Sequence, residues 1–155
     1  MPNAANETVI YPYTTFNFAV EINRSGSAGI LCNAAFAECD GLELSMDVKT
    51  IREGGNNTQQ IRLAGATTYG NLTLKRGMTD NSDIWRWMYD TQLDPRLRAD
   101  AEVVLFAPDG QTVRARFELK RCLPIKIKAP ALNAKDGMVA IEELQIAYES
   151  LQLKI

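Results

Sequence analysis

Apolar and polar residues alternate with period two over most of this chain. From Thr14 to Asn23, Phe16, Phe18, Val20 and Ile22 share one face, and Asn17, Ala19, Glu21 and Asn23 the other. That spacing predicts a half-buried strand. Arg24 to Gly29 (RSGSAG) reads as a loop. Gly41 to Ile51 alternates again, with Leu42, Leu44, Met46 and Val48 inward and Glu43, Ser45, Asp47 and Lys49 outward. Gly54-Gly55-Asn56-Asn57 breaks the run, because Gly and Asn tolerate positive φ. Gln60 to Leu63 resumes it with Ile61 and Leu63. Asn71 to Arg76 sets Leu72 and Leu74 against Asn71, Thr73 and Lys75.

Further on, Ala101 to Phe106 and Thr112 to Lys120 flank a turn-rich Ala107–Gln111, the pattern of a hairpin. Ile125 and Ile127 alternate with Lys126 and Lys128. A last strand is predicted from Met138 to Leu153, carrying Val139 and Ile141, then Leu144, Ile146 and Tyr148. Its phase slips at Glu142-Glu143, which predicts a β-bulge, and again near Ser150. One segment has helical spacing instead. Ser82 to Leu93 (SDIWRWMYDTQL) pairs Ile84 with Met88 and Trp85 with Tyr89, with Ser82 as N-cap and Asp94-Pro95 as stop. Trp85 and Trp87 then face different sides, one in the core and the other outside, where it hints at a partner surface.

Together these elements predict a mainly β protein: roughly seven or eight strands, mostly antiparallel, in a sandwich or split barrel with one short helix. The length of 155 residues suits a single domain, 1–155, with a real core. A polar hairpin at about 49–60 is superfluous to a monomer, and the open sheet edges need a partner or a cover.

Composition narrows the function by exclusion. A net charge of −2 and 23% charged residues lack the basic excess of a dedicated nucleic-acid binder. No apolar run approaches the ~20 residues needed to cross a bilayer. The N-terminus carries no signal-peptide pattern, so the expectation is a soluble chain made in the cytoplasm. Histidine is absent, which removes the commonest general base and the usual zinc ligand. Cys32, Cys39 and Cys122 form no C-x-x-C pair and read as apolar filler in a reduced compartment. Glu142 and Glu143 are adjacent on a strand and so point to opposite faces rather than to one substrate. Gly54-Gly55 lacks the lysine and spacing of a phosphate loop. Asp80 to Asp83 lacks the later ligands of a calcium loop. Lys120, Arg121, Lys126 and Lys128 read as a solvated strand face before a phosphate site. No catalytic residues, metal or cofactor are expected, and the chain does not read as an enzyme.

Several blocks, taken in order, resemble the inner tube proteins of contractile injection systems and contractile phage tails. The resemblance runs through Tyr11-Pro12, Phe16-x-Phe18-x-Val20 and Glu38-Cys39-Asp40-Gly41-Leu42-Glu43. It is tightest at Ile51-Arg52-Glu53-Gly54-Gly55-Asn56, at Arg62-Leu63-x-Gly65 and at Tyr69 to Gly77, and it closes at Glu142 to Glu149. Arg24 to Phe36 departs from the family pattern, and Ser150 stands where glycine is expected. The resemblance implies hexameric rings stacked into a hollow tube inside a sheath, built in the bacterial cytoplasm as part of a tail-like particle. Implied partners are the chain itself, a sheath protein, baseplate or spike and tube-terminator proteins, and protein cargo or DNA in the bore. Inter-ring stacking would fall to Lys49, Ile51, Arg52, Glu53, Gly54, Gly55, Asn56 and Asn57. Glu43, Ser45, Asp47, Asn71, Thr73 and Lys75 would face the lumen. Trp85, Trp87 and Tyr89 would lie on the outer surface or at a subunit contact. A tube-initiating baseplate ring or a secreted type VI-like ring is the alternative within the fold, and a small-ligand β-barrel module the alternative outside it.

Overall fold

The computed structural model describes residues 13, 17–24, 30–34, 36–55 and 58–155. The expectations for Tyr11, Pro12, Phe16, the 25–29 loop, Asn56 and Asn57 lie outside the described residues. In chain order the strands are β1 (Phe18–Arg24), β2 (Ile30–Ala34), β3 (Glu38–Asp40), β4 (Leu44–Ile51), β5 (Ile61–Tyr69), β6 (Asn71–Gly77), β7 (Ala99–Phe106), β8 (Val113–Lys128), β9 (Ile141–Ala147) and β10 (Ser150–Lys154). A single helix, α1 (Asp83–Leu93), lies between β6 and β7.

The body is one antiparallel array in the order β2-β1-β7-β8-β9-β6-β3, with β10 on β8. The 16-residue β8 holds it together. Its first part pairs with β7 on one edge and β10 on the other, and its last part pairs with β9. The changeover is at Arg121, whose φ of 55° bends the strand from one leaf to the other. The leaves enclose one core. Val20, Ile22, Ala101, Val103 and Leu119 meet Leu72, Leu74, Leu144 and Ile146, and Ile84 and Trp87 of the helix close one side. The alternation of β1 and β6, and of β9 from Leu144 onward, is reproduced, because each presents one face to this core and the other to solvent.

Three local expectations are corrected. The register from Asn71↔Ala147 to Gly77↔Ile141 is unbroken, so there is no bulge at Glu142-Glu143. Glu142 occupies an ordinary inward position, directly opposite Arg76, and the buried pair keeps the parity that an apolar-only reading loses. The irregularity lies in the partner strand, between Pro124 and Lys126 of β8, where proline has no N–H to give to the ladder. Met138 and Val139 are not strand residues; they end a long exposed connection, 129–140. At α1, Ser82 stands at the N-cap but makes no capping bond. Asn81 Oδ1 accepts from the Asp83 amide at 2.9 Å instead. The slip near Ser150 is real: Tyr148 and Glu149 separate β9 from β10.

Candidate assembly surface

β4 and β5 form a two-stranded sheet of their own, apart from the body. Every residue of β4 is exposed, and so is nearly all of β5. The hairpin is therefore longer than the polar 49–60 segment and less polar. Leu44, Met46 and Val48 are 55%, 53% and 51% exposed, where the alternation places them inward. Ile51, Ile61 and Leu63 are also exposed. Period two records that one face is apolar; it does not record whether the surface that covers it belongs to the same chain.

Pairing splits these side chains between two faces. Leu44 stands opposite Tyr69, Met46 opposite Thr67 and Val48 opposite Ala64, all on one face. Lys49 stands opposite Leu63 and Ile51 opposite Ile61 on the other. The register shifts between Met46 and Val48, so Gly65 and Ala66 together oppose Asp47. A Cβ at Gly65 would stand 2.8 Å from the Asp47 carbonyl oxygen, which explains the glycine. An isolated two-stranded ribbon is marginal in water, and this one presents apolar groups on both sides.

The root of the hairpin is built tightly. Gly41 has φ of 100°, and a Cβ there would stand 2.0 Å from the Asn71 carbonyl oxygen. The Gly70 amide donates to Glu43 O at 3.0 Å. Tyr148 reaches in from the β9–β10 junction. Its hydroxyl accepts from the Glu43 amide at 3.1 Å and shares its own proton between Gly41 O at 2.8 Å and Glu43 O at 3.0 Å. Burial, chiefly, raises the Tyr148 pKa above its ordinary value. The Tyr69 and Tyr148 rings meet at 5.7 Å. Nothing in the sequence pattern marks Tyr148 for this task beyond its inward parity.

The sequence-predicted sites fall on separate surfaces. Lys49, Ile51, Arg52, Glu53, Gly54 and Gly55 are exposed at or near the hairpin tip, where Gly55 has φ of 93°. Ser45 bonds Thr68 across the hairpin at 2.7 Å, and Asp47 lies beside it. Glu43 is at the root. Asn71, Thr73 and Lys75 lie on the outer face of β6 in the body sheet, where Lys75 pairs with Glu38 at 3.5 Å. Of the basic strip, Lys120 faces Asp100 at 3.8 Å and Arg121 faces Glu149 at 2.9 Å. Trp87 is only 2% exposed and belongs to the core, so it offers no outer contact. Trp85 is half-buried and donates to Glu142 Oε2 at 2.9 Å. Neither tryptophan is left outside; the exposed apolar groups of α1 are Tyr89 and Leu93. Burial pushes the Cys39 thiol up to about 11 and the Cys122 thiol to about 12, as expected for filler. Among the described residues no cluster of side chains suited to a metal occurs, and no helix is long and apolar enough to cross a membrane.

Solved structures share this architecture. A chain of the anti-feeding prophage baseplate is similar at TM-score 0.82 and 22% identity, over 94% of this chain and 97% of that one. A chain of the PVC sheath-tube complex, an extracellular contractile injection system in its extended state, gives 0.80 and 20%, over 94% and 93%. Hcp1 from Flavobacterium johnsoniae gives 0.50 and 13%, over 87% and 94%. Identities this low establish the shared fold. No curated protein sequence matches the chain. A far wider signal comes from the family level: residues 14–152 match the family described as T4-like virus tail tube protein gp19, and the chain belongs to that family.

Proposed function

We propose that the chain is the repeating subunit of the hollow inner tube of a contractile injection particle. Copies close into hexameric rings, rings stack, and the tube conducts cargo when a surrounding sheath contracts. The observation that carries this reading is the β4–β5 hairpin, which beyond its root at Tyr69 exposes apolar side chains on both faces. Burying what remains exposed of Leu44, Met46, Val48, Ile51, Ile61 and Leu63 is worth roughly 1 kcal/mol apiece, enough to drive association. Family membership supports the same reading.

In this reading the outer polar face of β6, with Asn71, Thr73 and Lys75, and the polar positions Glu43, Ser45 and Asp47 line the bore. Lys49 to Asn57 bridge rings. Sheath, baseplate or spike, and terminator proteins are the partners, and protein or DNA the cargo, with assembly in the bacterial cytoplasm. Structural likeness to a baseplate chain as well as to a sheath-tube chain keeps a second role in view, that of a tube-initiating ring. Negative-stain imaging of the purified protein tests both. Six-fold rings that elongate indefinitely support the tube subunit, and single closed rings support the initiator. A monomer that persists at high concentration refutes both.

A further inference from the structure

Two bends in neighbouring strands meet beside the root of the hairpin. β8 turns at Arg121 as it passes from β10, where Ser150 faces Lys120, to β9, where Ala147 faces Leu123. Next to it, β9 ends at Ala147 and β10 begins at Ser150, so Tyr148 and Glu149 make the matching turn. Among the described residues, Arg121 is the one non-glycine with positive φ. Such a backbone persists only where its surroundings hold it, and it concentrates at switch regions. Here it is held from both sides. The Arg121 amide donates to Asp100 Oδ1 at 3.2 Å, and Arg121 Nε donates to Glu149 Oε2 at 2.9 Å. The Glu149 amide donates to Lys120 O at 3.0 Å. At the hairpin root the strand pairing lapses over 41–43: β3 follows β6 as far as Asp40↔Thr73, and β4 takes up β5 at Leu44↔Tyr69. The Tyr148 hydroxyl bonds to Gly41 and Glu43 across that gap.

We infer that the bend between the leaves and the root of the hairpin form one conformational unit, linked through the Tyr148-Glu149 pair. Successive residues of an extended chain point to opposite faces. Tyr148 accordingly points inward, 6% exposed, to the hairpin root, and Glu149 points outward to the Arg121 guanidinium. Adjacent residues thus carry the latch on the hairpin and the brace on the bend. The unit has a latched state, the one in the structure, and a released state. On release the Tyr148 hydroxyl leaves 41–43 and Arg121 leaves the left-handed region. A molecule that seats on the hairpin and favours one angle at its root therefore biases the bend between the leaves. A shift of the bend likewise moves the hairpin, because coupling between two sites is reciprocal. The coupling belongs to the single chain and needs no ring or tube, so its failure leaves the proposed function standing.

Amide hydrogen exchange on the full-length chain, read residue by residue by NMR, tests this. The Thr112 amide, bonded to Asp109 at the far end of β8, is the reference, because it also opens locally. Tyr148→Phe leaves Arg121 and its bonding partners in place. It should nevertheless speed exchange at the Arg121 amide by about fivefold, the factor that the net contribution of one hydrogen bond corresponds to. In the other direction, Glu149→Gln removes the charge that braces Arg121 and should speed exchange at the Glu43 amide by a similar factor, although its side chain faces away from the hairpin root. Arg121→Gly accepts the positive φ without strain, loses the guanidinium, and should do the same. Thr112 should exchange at the wild-type rate in every variant. Acceleration confined to the altered end would overturn the inference, for latch and brace would then be independent. Equal acceleration at Thr112 would overturn it as well, since it marks a general loosening. Should Arg121→Gly fail to fold, Glu149→Gln read at Glu43 decides between these outcomes.

Discussion

Replacing Glu142 by leucine should destabilise this domain more than almost any single change on its surface. Arg76 and Glu142 face each other on β6 and β9 with side chains 4% and 1% exposed. Arg76 Nε donates to Glu142 Oε1, and Arg76 Nη2 donates to Asn81 O at 2.8 Å. Trp85 Nε1 donates to the other carboxylate oxygen. Phe36 lies under the guanidinium, 5.8 Å from its ring centroid. Glu142→Leu leaves a buried cation without its anion and an indole N–H without an acceptor. Breaking one side of such a pair costs about 3–5 kcal/mol, against about 5–15 kcal/mol for a whole domain. At about 2–4 °C per kcal/mol, the melting temperature should fall by roughly 10 °C. Arg76→Leu should cost a similar amount, for it strands the carboxylate. The double variant Arg76→Leu/Glu142→Leu strands neither and should lie within about 2 kcal/mol of wild type. Urea unfolding followed by circular dichroism, with unchanged m-values, measures the cycle. A double variant that loses the sum of the singles, or a single that loses less than about 1 kcal/mol, would refute the claim that the pair is a buried unit.

Three further outcomes follow from the geometry. Tyr148→Phe removes the hydroxyl that holds the hairpin root; it should cost about 1–2 kcal/mol and speed hydrogen exchange at the Glu43 amide, and an unchanged exchange rate there would contradict the clamp. Cys39 and Cys122, with thiols raised to about 11 and 12 from an ordinary 9.0, should resist iodoacetamide at pH 8 until the protein is unfolded. Rapid native alkylation seen by mass spectrometry would show that they are not buried. Asp109 should titrate near 2 rather than 3.8, first because it accepts from the Thr112 hydroxyl and then from the amides of Thr112 and Gln111. A depressed carboxyl favours the folded state above the unfolded value and loses that contribution as pH falls through the folded one. The 107–112 turn should therefore hold down to about pH 4 and loosen towards pH 2. An NMR titration with a midpoint near 4 would contradict the turn geometry.

Period-two alternation by itself determined the strands that face the core of their own chain. Leu72 and Leu74, Leu144 and Ile146, and Val20 and Ile22 are where it puts them, because a sheet with one wet face leaves no other arrangement of those side chains. The helix and the turn at Ala107–Gln111 are legible for the same kind of local reason. The ordered blocks from Tyr11 to Glu149 were enough to point to the tail-tube family, and the Gly-Gly break marked the hairpin. Tertiary structure decided the rest. Glu142 reads as a disruption until Arg76 is seen opposite it, since the partner is far away in sequence and only the β6–β9 register joins them. One of Trp85 and Trp87 reads as exposed until that same carboxylate is seen to accept from the Trp85 indole. Leu44, Met46 and Val48 read as core, yet about half of each side chain is exposed. Alternation reports that a strand has an apolar side; only the three-dimensional arrangement shows that, in the hairpin, this side stays exposed.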